Sequence, residues 1–293
     1  MIERSTSMSS QLLRSRESSE PWRAVVIDLD GTLLDDRGMI SDYSIKILEL
    51  LHRRNMMIII ATGRLDEDAR RVLQKLSFAP TVLSCNGALV KTGPQHSPVF
   101  EQTLAPELSG KILRFTRRLP LHVTLFSRAG WHSLTPNPDF TGYIASSGLT
   151  CHYHDERTLH NIAPFKILLH GDANTTDTAL VALRERFGAV SESSKSSPKT
   201  IDIVSRNLSK MTAAKRFLAS QHISLTQTIA LGDAMNDMEL LRSVGHGVLM
   251  GNAMTELQCH LPNLPQALPN YRDGVAHYLE QLLALSKELA IAD

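Results

Sequence analysis

Residues 24–32 read Ala-Val-Val-Ile-Asp-Leu-Asp-Gly-Thr, an apolar run that ends in two aspartates and a glycine. A short continuous apolar run is typical of a strand buried on both faces of a parallel sheet. Because side chains alternate along an extended chain, Asp28 and Asp30 would point the same way just beyond the strand. Open α/β sheets bind ligands at this carboxyl-terminal edge. The segment therefore predicts an anionic site at the end of a buried strand.

Two simpler interpretations of Asp28 and Asp30 fit less well. A calcium-binding loop of the EF-hand type has its glycine at the sixth position, a glutamate at the twelfth and a helix in front. Here the glycine is fourth and a predicted strand precedes it. An ordinary Asp-Gly turn would account for Asp30 and Gly31. It would not explain an apolar run that delivers two carboxylates to one place.

Before and after a central region with a different pattern, apolar runs alternate along the chain with helical patterns. This alternation is typical of an α/β fold, and it predicts a Rossmann-like core with a parallel sheet. The predicted strands of the core after the first are Met56–Ala61, Thr81–Ser84, Thr228–Leu231 and Gly247–Met250. One predicted helix begins after Ser41, which is its N-cap. The other predicted helices cover Asp66–Leu76, Ser209–Ser220, Asp237–Arg242 and Val275–Leu285.

The central region mixes helices with short alternating strands, and it predicts an inserted α+β cap over residues 89–199. The core is then made of residues 21–88 and 200–293. A serine-rich segment, Ser191–Ser197, precedes Pro198 and is predicted to be a loop that closes the insertion. Residues 1–20, rich in serine and arginine, are predicted to be a disordered tail, or an extension upstream of a later start at Met8.

Composition narrows the possible partners and the compartment. The chain of 293 residues has 31 lysines and arginines against 30 aspartates and glutamates, a net charge of +1, which argues against a polybasic nucleic-acid-binding protein. Its 3 cysteines are far apart, as is typical of a reducing compartment. No apolar stretch has the length of a membrane span, and no signal-peptide pattern is present. We therefore expect a cytoplasmic protein that binds neither nucleic acid nor membranes and needs no obligate protein partner.

Three further segments carry polar residues at the ends of predicted elements. Thr62-Gly63-Arg64 follows the second strand, where a hydroxyl group and free amides at a helix start could hold a phosphate. Helix capping by Thr62 is the alternative. The segment Gly232–Asp237 follows a later strand and brings two more carboxylates and an amide. Lys210 opens the helix before that strand.

Four of these residues predict a metal site. Asp28, Asp30, Asp233 and Asp237 would form an oxygen-rich pocket suited to a hard cation, with Mg²⁺ as first choice. A carboxylate beside Mg²⁺ can attack phosphorus, because the metal offsets the repulsion between two anions. Lys210 would add a positive charge at the transferring oxygens. The parts together predict phosphoryl transfer.

The same segments resemble the four motifs of the haloacid dehalogenase superfamily of aspartate-nucleophile phosphatases. Asp28–Thr32 is similar to the first motif and Thr62–Arg64 to the second. Lys210 is similar to the third motif and Gly232–Asp237 to the fourth. Their order and spacing cover nearly the whole chain beyond residue 20.

Three other segments are similar to the Cof-type, class IIB branch of this superfamily. They are Ser84–Ala88, Met250–Ala253 and Asp273–Ala276. The resemblance implies a large α/β cap between the second and third motifs. Within the branch, the sequence is most similar to bacterial pyridoxal-phosphate and sugar-phosphate phosphatases.

The resemblance also implies a role for each matching residue. Asp28 would form the aspartyl-phosphate and bind Mg²⁺, whereas Asp30 would act as general acid, then as base, and bring its backbone carbonyl to the metal. Asp233 would bind the metal directly, and Asp237 would support it through hydrogen bonds. Asn86 would lie near the substrate entrance. The residues implied in phosphate binding are Leu29 and Gly63, through amides, and Thr62, Lys210 and Asn236.

The sequence departs from the family pattern at one position. The family usually has glycine after the lysine of the third motif, and here Met211 follows Lys210. Lys199 and Lys215 therefore remain alternative candidates for the role of Lys210.

The cap is expected to select the substrate by closing over the site, since the core motifs recognise only phosphate and metal. Its notable aromatic and polar residues include Trp131, His132 and Tyr143. His152 and His154 would share a strand face and could hold zinc, or could simply face the cleft or solvent. We predict a Mg²⁺-dependent phosphomonoesterase of small phosphorylated metabolites. The alternatives are a phosphomutase of the same superfamily and a non-catalytic ligand-binding protein.

Overall fold

The computed structural model describes residues 22–285, so the predicted tail of residues 1–20 lies outside the described residues. The strands are β1 (Ala24–Ile27), β2 (Met57–Ala61), β3 (Thr81–Ser84), β4 (Leu89–Lys91), β5 (Phe100–Glu101), β6 (His122–Ser127), β7 (Gly130–Ser133), β8 (Cys151–Tyr153), β9 (Lys166–His170), β10 (Ser191–Ser197), β11 (Thr200–Ser205), β12 (Thr228–Gly232) and β13 (His246–Leu249). The α-helices are α1 (Asp42–Arg53), α2 (Asp66–Val72), α3 (Pro106–Thr116), α4 (Thr141–Ser147), α5 (Glu156–Leu159), α6 (Ala173–Phe187), α7 (Lys210–Ser220), α8 (Met238–Ser243), α9 (Thr255–His260) and α10 (Gly274–Leu282). Among these helices, none combines the length and the apolar character needed to cross a membrane.

A 7-stranded sheet forms the core, in the order β13-β12-β1-β2-β3-β4-β5. The strands from β13 to β3 run parallel, whereas β4 pairs antiparallel with β3 and β5 pairs antiparallel with β4. The chain leaves β1 towards β2 on one side and later enters β12 on the other side of β1. Ligands bind where strand order reverses in this way, at the carboxyl ends of the strands. The predicted Rossmann-like α/β core is confirmed.

Both faces of the core sheet are covered by helices, which explains why β1 is apolar at every position. Val25 and Ile27 pack on one side with α1 and α10. Ala24 and Val26 pack on the other side with α7 and α8. At the start of α1, Ser41 accepts a hydrogen bond from the Ser44 amide, as expected of an N-cap.

A second sheet of 6 strands, in the order β10-β11-β9-β6-β7-β8, forms the cap. Its strands pair antiparallel except for β7 and β8. One face packs against α3 and α6. The other face carries Phe126, Trp131 and Leu168, which cluster with Leu65 and Cys85 of the core. The cap sheet therefore lies directly against the core.

The predicted loop at Ser191–Ser197 is wrong, because this segment is strand β10. It pairs antiparallel with β11 from Ser191 opposite Ser205 to Ser197 opposite Thr200. Serine has no strong preference for strands, but pairing with a neighbouring strand decides the conformation here.

The predicted boundaries of the cap also need correction. Strands β4 and β5 belong to the core sheet, so the core continues past residue 88 to Glu101. At the other end, β11 belongs to the cap sheet, so the cap continues past residue 199 to Ser205. The motifs bracket the insertion, but the backbone pairing of β4 with β3 and of β11 with β9 sets its limits.

Candidate active site

The turn after β1 carries the first two predicted aspartates. Asp28 continues β1 with an extended backbone, and only 6% of the residue is exposed. Gly31 then reverses the chain at φ +76°, in the left-handed region that favours glycine. A side chain at Gly31 would also collide with the carboxylate of Asp233. The glycine therefore allows this turn to approach the segment that follows β12.

That segment places Asp233 and Asp237 beside the end of β1. The Thr32 hydroxyl donates a hydrogen bond to Asp233 Oδ1 at 2.8 Å. The backbone amides of Asp233 and Ala234 each donate to Asp237 Oδ2 at 3.1 Å. Asp237 is completely buried. These bonds fix two carboxylates next to Asp28.

Lys210 connects two of the carboxylates at the start of α7. Its Nζ donates to Asp28 Oδ1 at 2.6 Å and to Asp237 Oδ1 at 2.7 Å. Burial alone would lower the pKa of Lys210, but the neighbouring Asp237 and Asp28 raise it above its ordinary value. Lys210 therefore stays a cation between two carboxylates.

The two alternative lysines are placed differently. Lys199 and Lys215 are both exposed, whereas Lys210 is 1% exposed. Met211 lies in the regular first turn of α7, which Ser209 caps through a hydrogen bond from the Thr212 amide. The missing glycine therefore does not disturb the helix that carries Lys210.

Asp28, Asp233 and Asp237 form a group that fits a divalent cation. Each offers a carboxylate oxygen, and these oxygens lie within 4.8 Å of one another. Both oxygens of Asp237 already accept hydrogen bonds, which leaves Asp28 and Asp233 as the freer ligands. Oxygen donors of this kind suit Mg²⁺.

The electrostatics of the group favour a cation as well. Burial raises the pKa of Asp28 well above its ordinary value, Lys210 opposes this rise, and the carboxylates of Asp237 and Asp233 add to it. Burial, followed by the charge of Asp237, raises the pKa of Asp233 to about 7. A bound cation would stabilise the ionised forms of all three carboxylates.

The carboxylate of Asp30 lies apart from this group and faces Arg64. Arg64 Nε donates to Asp30 Oδ2 at 2.8 Å, and a second guanidinium nitrogen donates to Oδ1 at 2.5 Å. The Asp30 side chain remains 59% exposed. The predicted pocket of four acidic side chains is therefore a group of three, because the Asp30 side chain turns to Arg64. Contact of the Asp30 backbone carbonyl with the metal stays a prediction.

The residues predicted to hold phosphate follow strands β1, β2 and β12 or begin helix α7. Thr62 is completely buried at the end of β2, where its Oγ1 accepts from the Arg64 amide at 3.1 Å. The Leu29 side chain is buried in the core, so only its backbone can face a ligand. Gly63 and Asn236 line a cavity together with Asp28. Lys210 completes the set through its contact with Asp28.

This cavity lies between core and cap and has a volume of about 430 Å³. Its aromatic wall consists of Phe126, Trp131, Phe140 and Tyr143. Phe126 and Trp131 stack with ring centroids 4.8 Å apart and an interplanar angle of 12°. Tyr143 also stacks on Trp131, with centroids 5.7 Å apart. The cavity is therefore lined by the carboxylate of Asp28 and by aromatic side chains of the cap.

Three charged residues of this site were missed as functional candidates by sequence reasoning. Arg64 was noted only as part of a motif, although it clamps Asp30. Lys166 and Asp202 line the cavity from cap strands β9 and β11 and form an ion pair of 2.9 Å. Each interrupts an apolar strand, Lys166 before Ile-Leu-Leu and Asp202 between Ile201 and Ile203. That pattern is the signal that could have indicated a buried pair.

Two predictions about cap residues have different outcomes. Trp131 and Tyr143 do line the cavity. His152 and His154 both stack against His132, with centroids 5.0 and 5.2 Å from it. Within residues 22–285, the aspartates above are the one group of three or more side chains arranged to hold a metal ion. The structure therefore gives no support to a zinc site at these histidines.

The chain is similar to known proteins in sequence and in fold. A family model described as haloacid dehalogenase-like hydrolase matches residues 25–279. An HMP-PP phosphatase of Cronobacter sakazakii is 30% identical over 265 residues, which cover 89% of this chain and 96% of the relative. A solved structure from Streptococcus mutans has a TM-score of 0.81 at 19% identity and covers 90% of this chain and 99% of its own. A subclass IIB sugar phosphatase has a TM-score of 0.75 at 18% identity, with coverage of 89% and 98%.

Proposed function

The chain belongs to the haloacid dehalogenase-like hydrolases and is a Cof-type phosphatase, and we propose that it hydrolyses phosphate monoesters of small metabolites with Mg²⁺ through an aspartyl-phosphate. One observation carries the proposal. Asp28 lines the cavity with Lys210 Nζ 2.6 Å from its Oδ1 and with Asp233 in the same group of carboxylates. A nucleophile beside a fixed cation and a metal site is what attack on an anionic phosphate requires.

In this proposal Asp28 attacks phosphorus and carries the phosphoryl group until water releases it. Mg²⁺, bound by Asp28, Asp233 and the backbone carbonyl of Asp30 and supported by Asp237, would neutralise charge on the phosphate. Lys210 balances the charge of the buried carboxylates throughout.

Asp30 donates a proton to the leaving oxygen and then accepts one from the attacking water. For this role the Asp30 carboxyl group would have to leave Arg64, whose two hydrogen bonds occupy both of its oxygens in the structure. The phosphate oxygens would be held by Thr62, by the amides of Leu29 and Gly63, and by Asn236. Asn86, which is 3% exposed, accepts a hydrogen bond from Asn236 Nδ2 at 3.1 Å.

The aromatic rings of the wall pack mainly on one another, so the wall does not choose between flat rings and sugars. Phe126 and Tyr143 stack against Trp131, and Lys166 Nζ lies 4.4 Å from the centroid of the Phe126 ring. Pyridoxal phosphate and sugar phosphates are therefore both candidates. HMP-PP joins the candidates because the Cronobacter relative is named for it.

We also propose a cytoplasmic location. The cysteines Cys85, Cys151 and Cys259 are all free, and Cys85 is buried. Unpaired cysteines of this kind are typical of a reducing compartment. Fractionation of the native host would test this, and recovery of the protein outside the cytoplasm would contradict it.

A phosphate-release screen tests the proposed function. Purified protein is assayed with pyridoxal phosphate, HMP-PP, sugar phosphates, nucleotides and flavin mononucleotide, with Mg²⁺ and with a chelator. We expect at least one ester to be hydrolysed with Mg²⁺ and activity to disappear with the chelator. Asp28→Asn should reduce turnover by about 10³-fold or more, because it removes the nucleophile.

Asp42→Asn is the matched control, since Asp42 is exposed at the start of α1, a helix packed on one face of the core sheet. It should keep the wild-type rate. Equal rates for wild type and Asp28→Asn on every ester would contradict the proposal. Activity that needs a bisphosphate activator and releases no phosphate would indicate a phosphomutase instead.

A further inference from the structure

Lys166 and Asp202 form an ion pair on the cap that contacts the phosphate-binding part of the core. The two residues lie on adjacent strands, β9 and β11, and are 3% and 1% exposed. Lys166 Nζ lies 2.9 Å from Asp202 Oδ1, but its aligned hydrogen bond goes to the backbone carbonyl of Gly63 at 2.7 Å. The pair therefore touches the core and is not only an internal contact of the cap.

Gly63 is shaped to accept this pair. A Cβ atom at Gly63 would lie 3.2 Å from Lys166 Nζ and 3.4 Å from Asp202 Oδ2. The first distance is tighter than an ordinary contact, so a side chain at Gly63 would press on Lys166. The lysine of the cap thus reaches the carbonyl of the same residue whose amide is proposed to bind phosphate.

Asp202 reaches a second phosphate-binding residue through a chain of amides. Its Oδ2 accepts from Asn86 Nδ2 at 2.8 Å. Asn86 Oδ1 in turn accepts from Asn236 Nδ2 at 3.1 Å. The chain runs from a cap strand to the core turn that carries Asn236.

The direction of this chain is set by chemistry at its cap end. An ionised carboxylate can only accept hydrogen bonds, so Asn86 must turn its NH₂ group to Asp202. The Asn86 oxygen then faces Asn236, and Asn236 must donate a hydrogen bond to it from its own NH₂ group. The orientation of the Asn236 amide is therefore determined by a residue of the cap.

From these contacts we propose that Lys166 and Asp202 are positioning residues, which orient Gly63 and Asn236 for phosphate binding when the cap lies on the core. The inference rests on the proposed function, because it takes Gly63 and Asn236 as phosphate-binding residues. In this inference the cap has a second role besides substrate selection, which is to orient phosphate-binding residues of the core. The phosphate site is complete only with the cap docked.

Inorganic phosphate separates this role from contact between the cap and the part of the substrate beyond the phosphate. Inorganic phosphate lacks that part, so a cap residue that contacts only that part would leave phosphate affinity unchanged. We expect Asp202→Asn and Lys166→Met to raise the inhibition constant of inorganic phosphate by about tenfold or more. Their kcat/KM should fall by a similar factor for esters of different size.

The chain offers a matched control within the same domain. Lys195 on β10 pairs with Asp177 on α6, and Lys195 is 5% exposed. Lys195→Met and Asp177→Asn remove an ion pair within the cap between a buried lysine and an aspartate that is 64% exposed. These variants should keep the phosphate inhibition constant within about twofold of wild type, and thermal unfolding would compare the stability of all four.

The outcomes separate the two proposals. An active wild type whose Asp202→Asn and Lys166→Met variants bind phosphate as the control variants do would overturn this inference alone. A wild type without phosphate-release activity would contradict the proposed function itself. If Asp202→Asn fails to fold, Lys166→Met carries the same test.

Discussion

At the scale of single residues, Lys210 is the cation that compensates the negative charge of the buried carboxylates in the candidate site. Its Nζ bonds both Asp28 and Asp237, and all three side chains are almost fully buried. Removing one partner of a buried charge network leaves the others without compensation. The same contacts that keep the fold stable therefore keep the nucleophile in place.

Lys210→Met is expected to damage activity and stability together. The substitution leaves two buried carboxylates without their cation, which should cost about 3–5 kcal/mol of unfolding free energy. Turnover should fall by about 10²-fold or more, because a fixed positive charge at the phosphate is lost. Urea unfolding and phosphate-release kinetics measure the two effects.

Lys215→Met serves as control for this variant, because Lys215 is exposed on the same helix α7. It should change stability by no more than about 0.5 kcal/mol. Wild-type turnover in Lys210→Met would show that another group supplies the charge.

Residues that act close to their motif could be predicted from the sequence, and residues that act across the fold could not. Asp28 and Asp233 follow apolar strands, and a simple rule about strand ends brings them together. Lys166 and Asp202 lie 36 positions apart in a region of mixed pattern. Their pairing depends on β9 lying beside β11, which local sequence does not specify.

At the scale of elements, tertiary pairing overrides local preference where prediction failed. The serines of β10 predict a loop, yet its backbone pairs with β11 and Lys195 turns inward to Asp177. The core strands are different, because each is a continuous apolar run, and such a run predicts a strand that is buried on both faces. Strand β1 is found with the predicted bounds, and β2 differs by one residue at its start.

Three stacked histidines, His132 on β7, His152 on β8 and His154 just after β8, should make stability depend on pH. Burial, followed by the charges of His152 and His154, lowers the pKa of His132 to about 4. The unfolded chain, with an ordinary histidine pKa of about 6.5, binds more protons between these values. The contribution of His132 to stability is therefore complete above pH 6.5 and is lost as pH falls towards 4.

His132→Gln should flatten this part of the stability profile. The unfolding free energy of wild type minus that of the variant should fall by about 1–2 kcal/mol from pH 7 to pH 4, because solvent screens part of the effect on His132. The raised pKa values of Asp28 and Asp233 act in the opposite direction, but they are common to both proteins and cancel in the difference. Chemical unfolding at several pH values measures it.

His260→Gln is the control, since His260 is exposed on α9, outside the cap sheet. Its difference from wild type should be independent of pH. A pH-independent difference for His132→Gln as well would contradict the assignment of a lowered pKa to His132.

At the scale of the whole molecule, the order of the motifs predicts a core interrupted by a cap, and the sheets refine the limits of both. Strand β12 re-enters beside β1 after the cap, which brings Asp233 to Asp28 over a separation of about 200 residues. The limits of the cap were misplaced because β4 and β11 show no motif. Only their pairing partners, β3 and β9, reveal to which sheet they belong.

The central claim is that Asp28 becomes phosphorylated, and trapping that state tests it most directly. Protein is mixed with an isotopically labelled ester found in the screen, quenched in acid within the first turnover, and digested for mass spectrometry. The account predicts label on the peptide that contains Asp28, no label in Asp28→Asn, and slower loss of label in Asp30→Asn, which lacks the base for hydrolysis. Rapid hydrolysis without label on Asp28, or label that persists in Asp28→Asn, would contradict it.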